Sequence, residues 1–270
     1  MNSRSDHGRE SMAMKSLKRC SIALFLLAFV GWISNSRPKE QDSNPKPKVQ
    51  DSDTKPKEEF DIKLSDAEAE KQAIAAIKKN GGELAPYSRF LDNEDVDLSE
   101  CKGNTDELLV HLKVLRGLTT VSLQSSGVTD AGLVHLQGLT KLERLYLDET
   151  GVTEVGLAHL KESVVLHTLS LSGSKITDAG LVHLKRLTKL HNLYLTETEV
   201  TDVGLAHLNG LTNLRVLYLK DTEITDDGLK HLSGLKRLDG IWLYRTQVTD
   251  KGVEMLEKSL PNCAISLHPL

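Results

Sequence analysis

The chain has 270 residues, with 34 Lys and Arg against 38 Asp and Glu for a formal charge of −4 at pH 7, and only 4% of it is aromatic. The near-balanced charge argues against a generic nucleic-acid binder with a basic face, and the apolar core must fall to Leu, Val and Ile rather than to Phe and Trp. Three cysteines, Cys20, Cys101 and Cys263, cannot form a disulfide framework.

Residues 1–36 have the order of an export signal. Arg4, Arg9, Lys15, Lys18 and Arg19 outweigh Asp6 and Glu10, and an uncharged apolar run follows from Ser21 to Ile33. A helix crossing a bilayer needs about 20 apolar residues, so this shorter run fits the apolar part of a signal peptide better than a span. Ser34 and Ser36 supply the small residues of a cleavage site. The alternative is an uncleaved single-pass anchor that tethers the protein to a membrane through residues 21–33. Met12 and Met14 are further candidate starts, and Cys20 stands on the wrong side of the apolar run for lipidation. The expected location is the periplasm, the cell envelope or the exterior.

Residues 37–64 read as a disordered linker, because the stretch RPKEQDSNPKPKVQDSDTKPKEEF carries four of the seven prolines and too few apolar residues to order itself. A proline-rich tether of that length reaches roughly 70 Å. Residues 65–103 read as a cap. Ser65 is the expected N-cap of an amphipathic helix with Ala73, Ile74 and Ile77 on one face, and a strand is expected around Val96 to Leu98. Glu94, Asp95 and Asp97 at that strand, and Pro269 after the last one, are the expected guards of the sheet edges.

From residue 104 to the C-terminus the text repeats. Val128, Val152, Ile176, Val200, Ile224 and Val248 recur at one constant interval without an insertion, and a period of this size means a solenoid. In the unit VTDAGLVHLQGLTKLERLYLDETG, Leu145 and Leu147 alternate with polar residues and so point inward from a short strand. Leu133, Leu136, Leu139 and Leu142 fall at the spacing of a helical face. Thr129 is placed to cap that helix, Asp130 to meet its positive end, and Val128 with Leu133 to form a hydrophobic staple. Burying seven apolar side chains yields about 10 to 20 kcal/mol per unit, against about 24 to 48 kcal/mol for ordering the backbone of the whole unit. A lone unit therefore cannot fold, and each must share core and strand hydrogen bonds with its neighbours.

The pattern LxxLxxLxLxxTxVTDxGLxHL resembles leucine-rich repeats of the cysteine-containing, ribonuclease-inhibitor-like subtype, which occur beside F-boxes in eukaryotes and in exported bacterial proteins. The resemblance covers residues 104–270. It implies an α/β solenoid, a right-handed coil of 24-residue strand-helix repeats with a parallel sheet on its concave face and helices outside, serving as a protein-binding module without a cofactor. Three features depart from the subtype: its cysteine is missing, Ser163 replaces a core leucine, and the last unit loses phase at Ser259 and Asn262, which points to a C-terminal cap. No F-box precedes the repeats, so an adaptor role in ubiquitin ligation is not carried over.

Outward strand positions form three columns. The middle one reads Ser122, Tyr146, Ser170, Tyr194, Tyr218, Trp242, flanked by Arg144 on one side and by Asp148, Lys220 and Tyr244 on the other. Five of the seven Tyr and Trp residues thus share one surface, and leucines already fill the core. Tyr, Trp and Arg anchor interfaces, although aromatic residues also favour strands and pair across them. The expected function is non-enzymatic binding of a protein or peptide by the concave aromatic stripe, with Tyr146, Tyr194, Tyr218, Trp242 and Tyr244 as anchors and Arg144, Asp148 and Lys220 tuning specificity. The alternatives are envelope glycan binding by the same face, or a structural spacer. Seven strands span roughly 30 Å, the length of an extended peptide of about nine residues.

Two other columns carry less. His111, His135, His159, His183, His207 and His231 form a ladder that invites metal binding or acid sensing, but duplication copies any tolerated residue, and metal needs converging ligands. The acids from Asp106 to Asp250 invite calcium, yet lack the dense oxygen set that ion takes; helix-start electrostatics accounts for them. Thr150, Thr198, Thr222, Thr246, Ser126 and Ser174 read as turn hydroxyls bonded to local backbone. No catalytic constellation or phosphate loop is present in the sequence, and oligomeric state is left open.

Overall fold

A computed structural model describes residues 57–85, 94–99, 101 and 103–268. The leader and the linker through residue 56 lie outside the described residues, as does Pro269. The N-terminal helix α1 spans Lys57–Lys79 and buries Ala73 and Ile77 against the first repeat. It begins well before Ser65, which is therefore an interior residue and not the N-cap, and the linker expected to run to residue 64 gives way to helix at Lys57.

Among the described residues nine strands form one sheet in sequence order: β1 (Glu83–Ala85), β2 (Glu94–Asp97), β3 (Leu118–Ser122), β4 (Arg144–Tyr146), β5 (Thr168–Ser170), β6 (Asn192–Tyr194), β7 (Val216–Tyr218), β8 (Gly240–Trp242) and β9 (Ala264–Ser266). From β2 onward every pair is parallel, and from β3 to β9 each residue faces its counterpart one repeat further along the chain. The first pair is antiparallel, because β1 returns as a hairpin arm along β2. The strand expected at Val96 to Leu98 thus starts two residues earlier and is an interior strand. β1 is the edge instead, so the acids of β2 do not guard one. Asp95 is buried, takes a hydrogen bond from Thr119 Oγ1 at 3.2 Å and lies 3.9 Å from the Arg144 guanidinium.

Each coil closes by the same local steps. In the unit after β3, Thr129 caps the helical turn Asp130–Leu133 by accepting from the Ala131 N–H, and a 3-10 turn, Val134–Leu136, brings the chain back toward the sheet. Val128 and Leu133 are both fully buried, as a staple requires. Thr150, Thr198 and Thr222 each donate to the carbonyl three residues earlier at 2.6 to 2.7 Å, closing the turn that leaves the strand. The residue before Thr150 and Thr198, Glu149 or Glu197, takes a left-handed conformation with φ of 54° or 57°, and its N–H bonds to the next coil.

The core is one continuous leucine spine within the compact unit Lys55–Leu270. Leu145, Leu169, Leu193, Leu217 and Ile241 meet in register at no exposure, and Leu147, Leu171, Leu195 and Leu219 repeat this two residues on. Ser163 fills its leucine site as a buried residue, and Val164 beside it is exposed like Thr140, Thr188, Thr212 and Lys236 at the same place in other coils, so the coil keeps the common course. The loss of phase at the end produces a ten-residue helix, Asp250–Ser259, with Leu256, Leu260 and Cys263 closing the core.

Candidate functional site: a ring stack on the open sheet face

Strand alternation places Arg144, Tyr146, Asp148, Tyr194, Tyr218, Lys220, Trp242 and Tyr244 on the sheet face opposite the leucines, in the expected columns. The structure divides them into three groups. Tyr194, Tyr218 and Trp242 stand on consecutive strands and form a continuous stack: the two tyrosine rings are 5.0 Å apart and 21° from parallel, and Tyr218 and Trp242 are 4.2 Å apart at 1°. Parallel pairing explains this, since side chains in register repeat at one strand spacing, about 4.8 Å, close to ring-stacking distance. Burial pushes the Tyr218 hydroxyl up to about 12 and raises Tyr194 further, so both phenols are neutral donors at physiological pH.

Tyr244 forms the second group, with Lys220 Nζ and the Arg245 guanidinium 5.8 and 5.9 Å from its ring centre and Asp221 holding both cations at 3.1 and 3.3 Å. The third group is Arg144, Tyr146 and Asp148. Arg144 donates to Thr120 Oγ1 at 2.8 Å, and Asp148 accepts from Gln124 Nε2 at 2.9 Å, from the Ser172 N–H at 3.1 Å and from the Ser170 hydroxyl. Arg144 and Asp148 are thus committed to neighbouring strands, which leaves them less free to meet a ligand than the columns alone imply. Thr168, Ser170 and Asn192 are buried although they point outward, with Asn192 Nδ2 bonded to Thr168 Oγ1 at 3.0 Å.

Sequence reasoning passed over two features. Charge is biased across the face. Exposed Lys141, Lys161, Lys189, Arg215 and Arg237 lie where the chain leads into the strands, with Glu162 and Asp239 among them, and exposed Glu149, Glu197, Glu199 and Glu223 on the turns leaving the strands, with Lys175 and Arg245 among them. The whole-chain sum cancels this polarity, which only a count taken position by position through the repeat would find. His167 and His191 also meet beside the face, their rings 5.0 Å apart and tilted by 36°, with Glu143 Oε2 3.8 Å from His167 Nδ1. Burial holds both imidazoles below their ordinary value.

The histidine ladder lies in the returning turns, where the His159 ring meets Gln137 Nε2 at 2.8 Å. Among the described residues no three His, Cys, Asp or Glu side chains converge to hold a metal. The acidic column does more than meet its own helix start. Asp130 Oδ1 and Oδ2 accept from the Thr153 N–H and hydroxyl of the next coil, both at 2.7 Å, and Oδ1 also accepts from the Gly156 N–H at 2.9 Å. Asp106, Asp178, Asp202 and Asp226 bind Thr129, Thr201, Thr225 and Thr249 in the same two-point way.

A family model described as Leucine Rich repeat matches residues 163–185 and 210–233. Among solved structures the chain is similar to internalin C2 from Listeria monocytogenes str. 4b F2365, at 28% identity and a TM-score of 0.42, over 52% of this chain. It spans 55% of that protein's length. No curated protein matches the sequence. Within its regular coils and parallel sheet the chain carries leucine-rich repeats at the matched residues, and repeats of this kind commonly bind other proteins. Among the described residues no helix is long and apolar enough to cross a membrane.

Proposed function

We propose that this protein is a non-enzymatic binding module that holds a protein edge or an extended peptide on the open face of its sheet, with Tyr194, Tyr218 and Trp242 as the central anchor. The observation that carries this is the unbroken ring stack, kept half-exposed on a face whose leucine core is already complete. A stack needed only to pair strands would gain by burying its outer edges; this one presents them between two charged flanks, as an interface centre with a polar rim does. Tyr146, Lys220 and Tyr244 extend the surface, and Arg144 and Asp148 stiffen its N-terminal part. Export to the cell envelope belongs to the same proposal, supported by the composition of residues 1–36, and mass spectrometry of the mature N-terminus tests it.

The binding test is crosslinked capture from envelope extract followed by affinity measurement. Tyr218→Ala combined with Trp242→Ala, checked for an unchanged far-ultraviolet circular dichroism spectrum, should weaken the captured partner by about 2 kcal/mol or more, the size of an interface hot spot. Unchanged affinity moves the site off this face. Retention of glycans on an array, with no protein captured, replaces the peptide ligand by a sugar.

A further inference from the structure

The ring column stops one step short of the end of the sheet. Its next register position after Trp242 is Ser266 on β9, and beside it Gly240 is followed by Ala264. One face of the indole is covered by Tyr218. Among the described residues no ring stacks on the other face, which fronts Ala264, exposed, and Ser266, half-buried. The indole also lies across Gly240: a Cβ built there would stand 2.5 Å from Trp242 Cη2 and 2.8 Å from Cζ3. The missing side chain at 240 is what lets the upright ring lean along its own strand, and the small residue at 264 keeps the adjoining floor low.

A serine elsewhere in the same column shows the contrast. Ser170 stands between Tyr146 and Tyr194 and is 5% exposed, with Thr168 beside it at 7%. That step has a ring residue on both sides and is closed. Among the described residues the step at Ser266 has a ring on one side only, and Ala264 in it is exposed.

We infer that the step over Ala264 and Ser266 is a binding site for one aromatic side chain of the ligand, stacked on the outer face of Trp242 as the fourth ring of the ladder. The inference rests on the binding role proposed for the open face. The internal rings are 4.2 to 5.0 Å apart, so a ring continuing the series falls directly above the last strand, one strand spacing further on. The floor selects an aromatic ring over a sugar. Ala264 has no polar side-chain group, and the Ser266 hydroxyl gives its proton to the His268 carbonyl at 2.9 Å and is left as an acceptor only. A sugar would find that single acceptor for its several hydroxyls on this floor, whereas an aromatic ring needs none.

The test uses the full chain with methyl-labelled alanine and N-acetyl-tryptophanamide as probe. The Ala264 methyl signal should move upfield and saturate, as ring current requires, while N-acetyl-leucinamide leaves it in place. Trp242→Leu should abolish the response. Ala264→Leu fills the step and leaves the stack intact but removes that methyl reporter, so the probe is read there on the Trp242 indole N–H signal, which should shift with N-acetyl-tryptophanamide in the wild type and stay in place in the variant, its position without probe reporting the preserved stack. Absence of a saturable shift, an equal response to the leucine amide, or a response to methyl glucoside alone overturns the inference. Against the captured partner the two ideas separate. If Ala264→Leu binds as the wild type does while the Tyr218 and Trp242 double variant does not, the step is unused and the face stands. If neither variant changes capture, both fail.

Discussion

At Gly204 an added methyl group would land on the Asp178 carboxylate of the preceding coil, with Asp178 Cγ and Leu181 Cδ1 both 3.1 Å away. Gly132, Gly156, Gly228 and Gly252 meet the same carboxylate oxygen from their own predecessors. Gly180 does not, because its predecessor is Glu154, whose longer side chain leaves the nearest atom as Ile176 Cγ2 at 3.0 Å. Thr177 accordingly has no side-chain cap bond, whereas Thr129 and Thr153 keep theirs. Gly204→Ala should cost about 1 to 3 kcal/mol by displacing a bonded carboxylate, and Gly180→Ala clearly less; urea denaturation midpoints of the two variants check the difference. The glycine column is plain in the sequence. Its cause is not, since the atom that forbids a side chain belongs to the coil before.

Except at Glu154, the helical turn of each coil is bolted to the one before it by an aspartate that accepts from the next threonine's N–H and hydroxyl, while that threonine accepts from its own helix. The last such contact, Asp226 to Thr249, has bonds of 2.8 and 2.7 Å, and these bonds hold the Asp226 carboxyl below the ordinary carboxylate value. A folded value below the unfolded one, about 3.9, means the contribution to stability is complete above that pH and is lost as pH falls through the lowered value. Asp226→Asn should therefore be less stable than the wild type at neutral pH, and the gap should close below about pH 4, as read from thermal midpoints across pH. The capping threonines are legible in the sequence because a cap acts within three residues. The start of α1 is masked there by a different cause: Lys57 to Leu64 is itself rich in helix formers and extends the helix past the cap that Ser65 suggests, with Pro56 just before it as the available signal.

Across the whole molecule stability is shared between neighbours. Leu193 is fully buried and in register with Leu169 and Leu217, so Leu193→Ala should cost about 2 to 5 kcal/mol. Because no coil closes its core alone, the loss should appear as an earlier urea midpoint of a single transition with an unchanged slope. A second, earlier transition would show instead that the coils on either side of the cavity unfold separately.

Whatever repeats is legible in the sequence: the coil length, the inward leucines and the column that carries Tyr194, Tyr218 and Trp242, with the parallel sheet implied by the resemblance those repeats carry. Period and alternation fix the direction of a side chain from its immediate neighbours along the chain. The packed molecule alone settles which outward residues stay open, that Thr168, Ser170 and Asn192 are covered, that the aspartates reach the next coil, and that among the described residues the ring stack ends at Trp242. These outcomes depend on rotamers and on atoms brought together from successive coils, and an alternation rule carries no information about either.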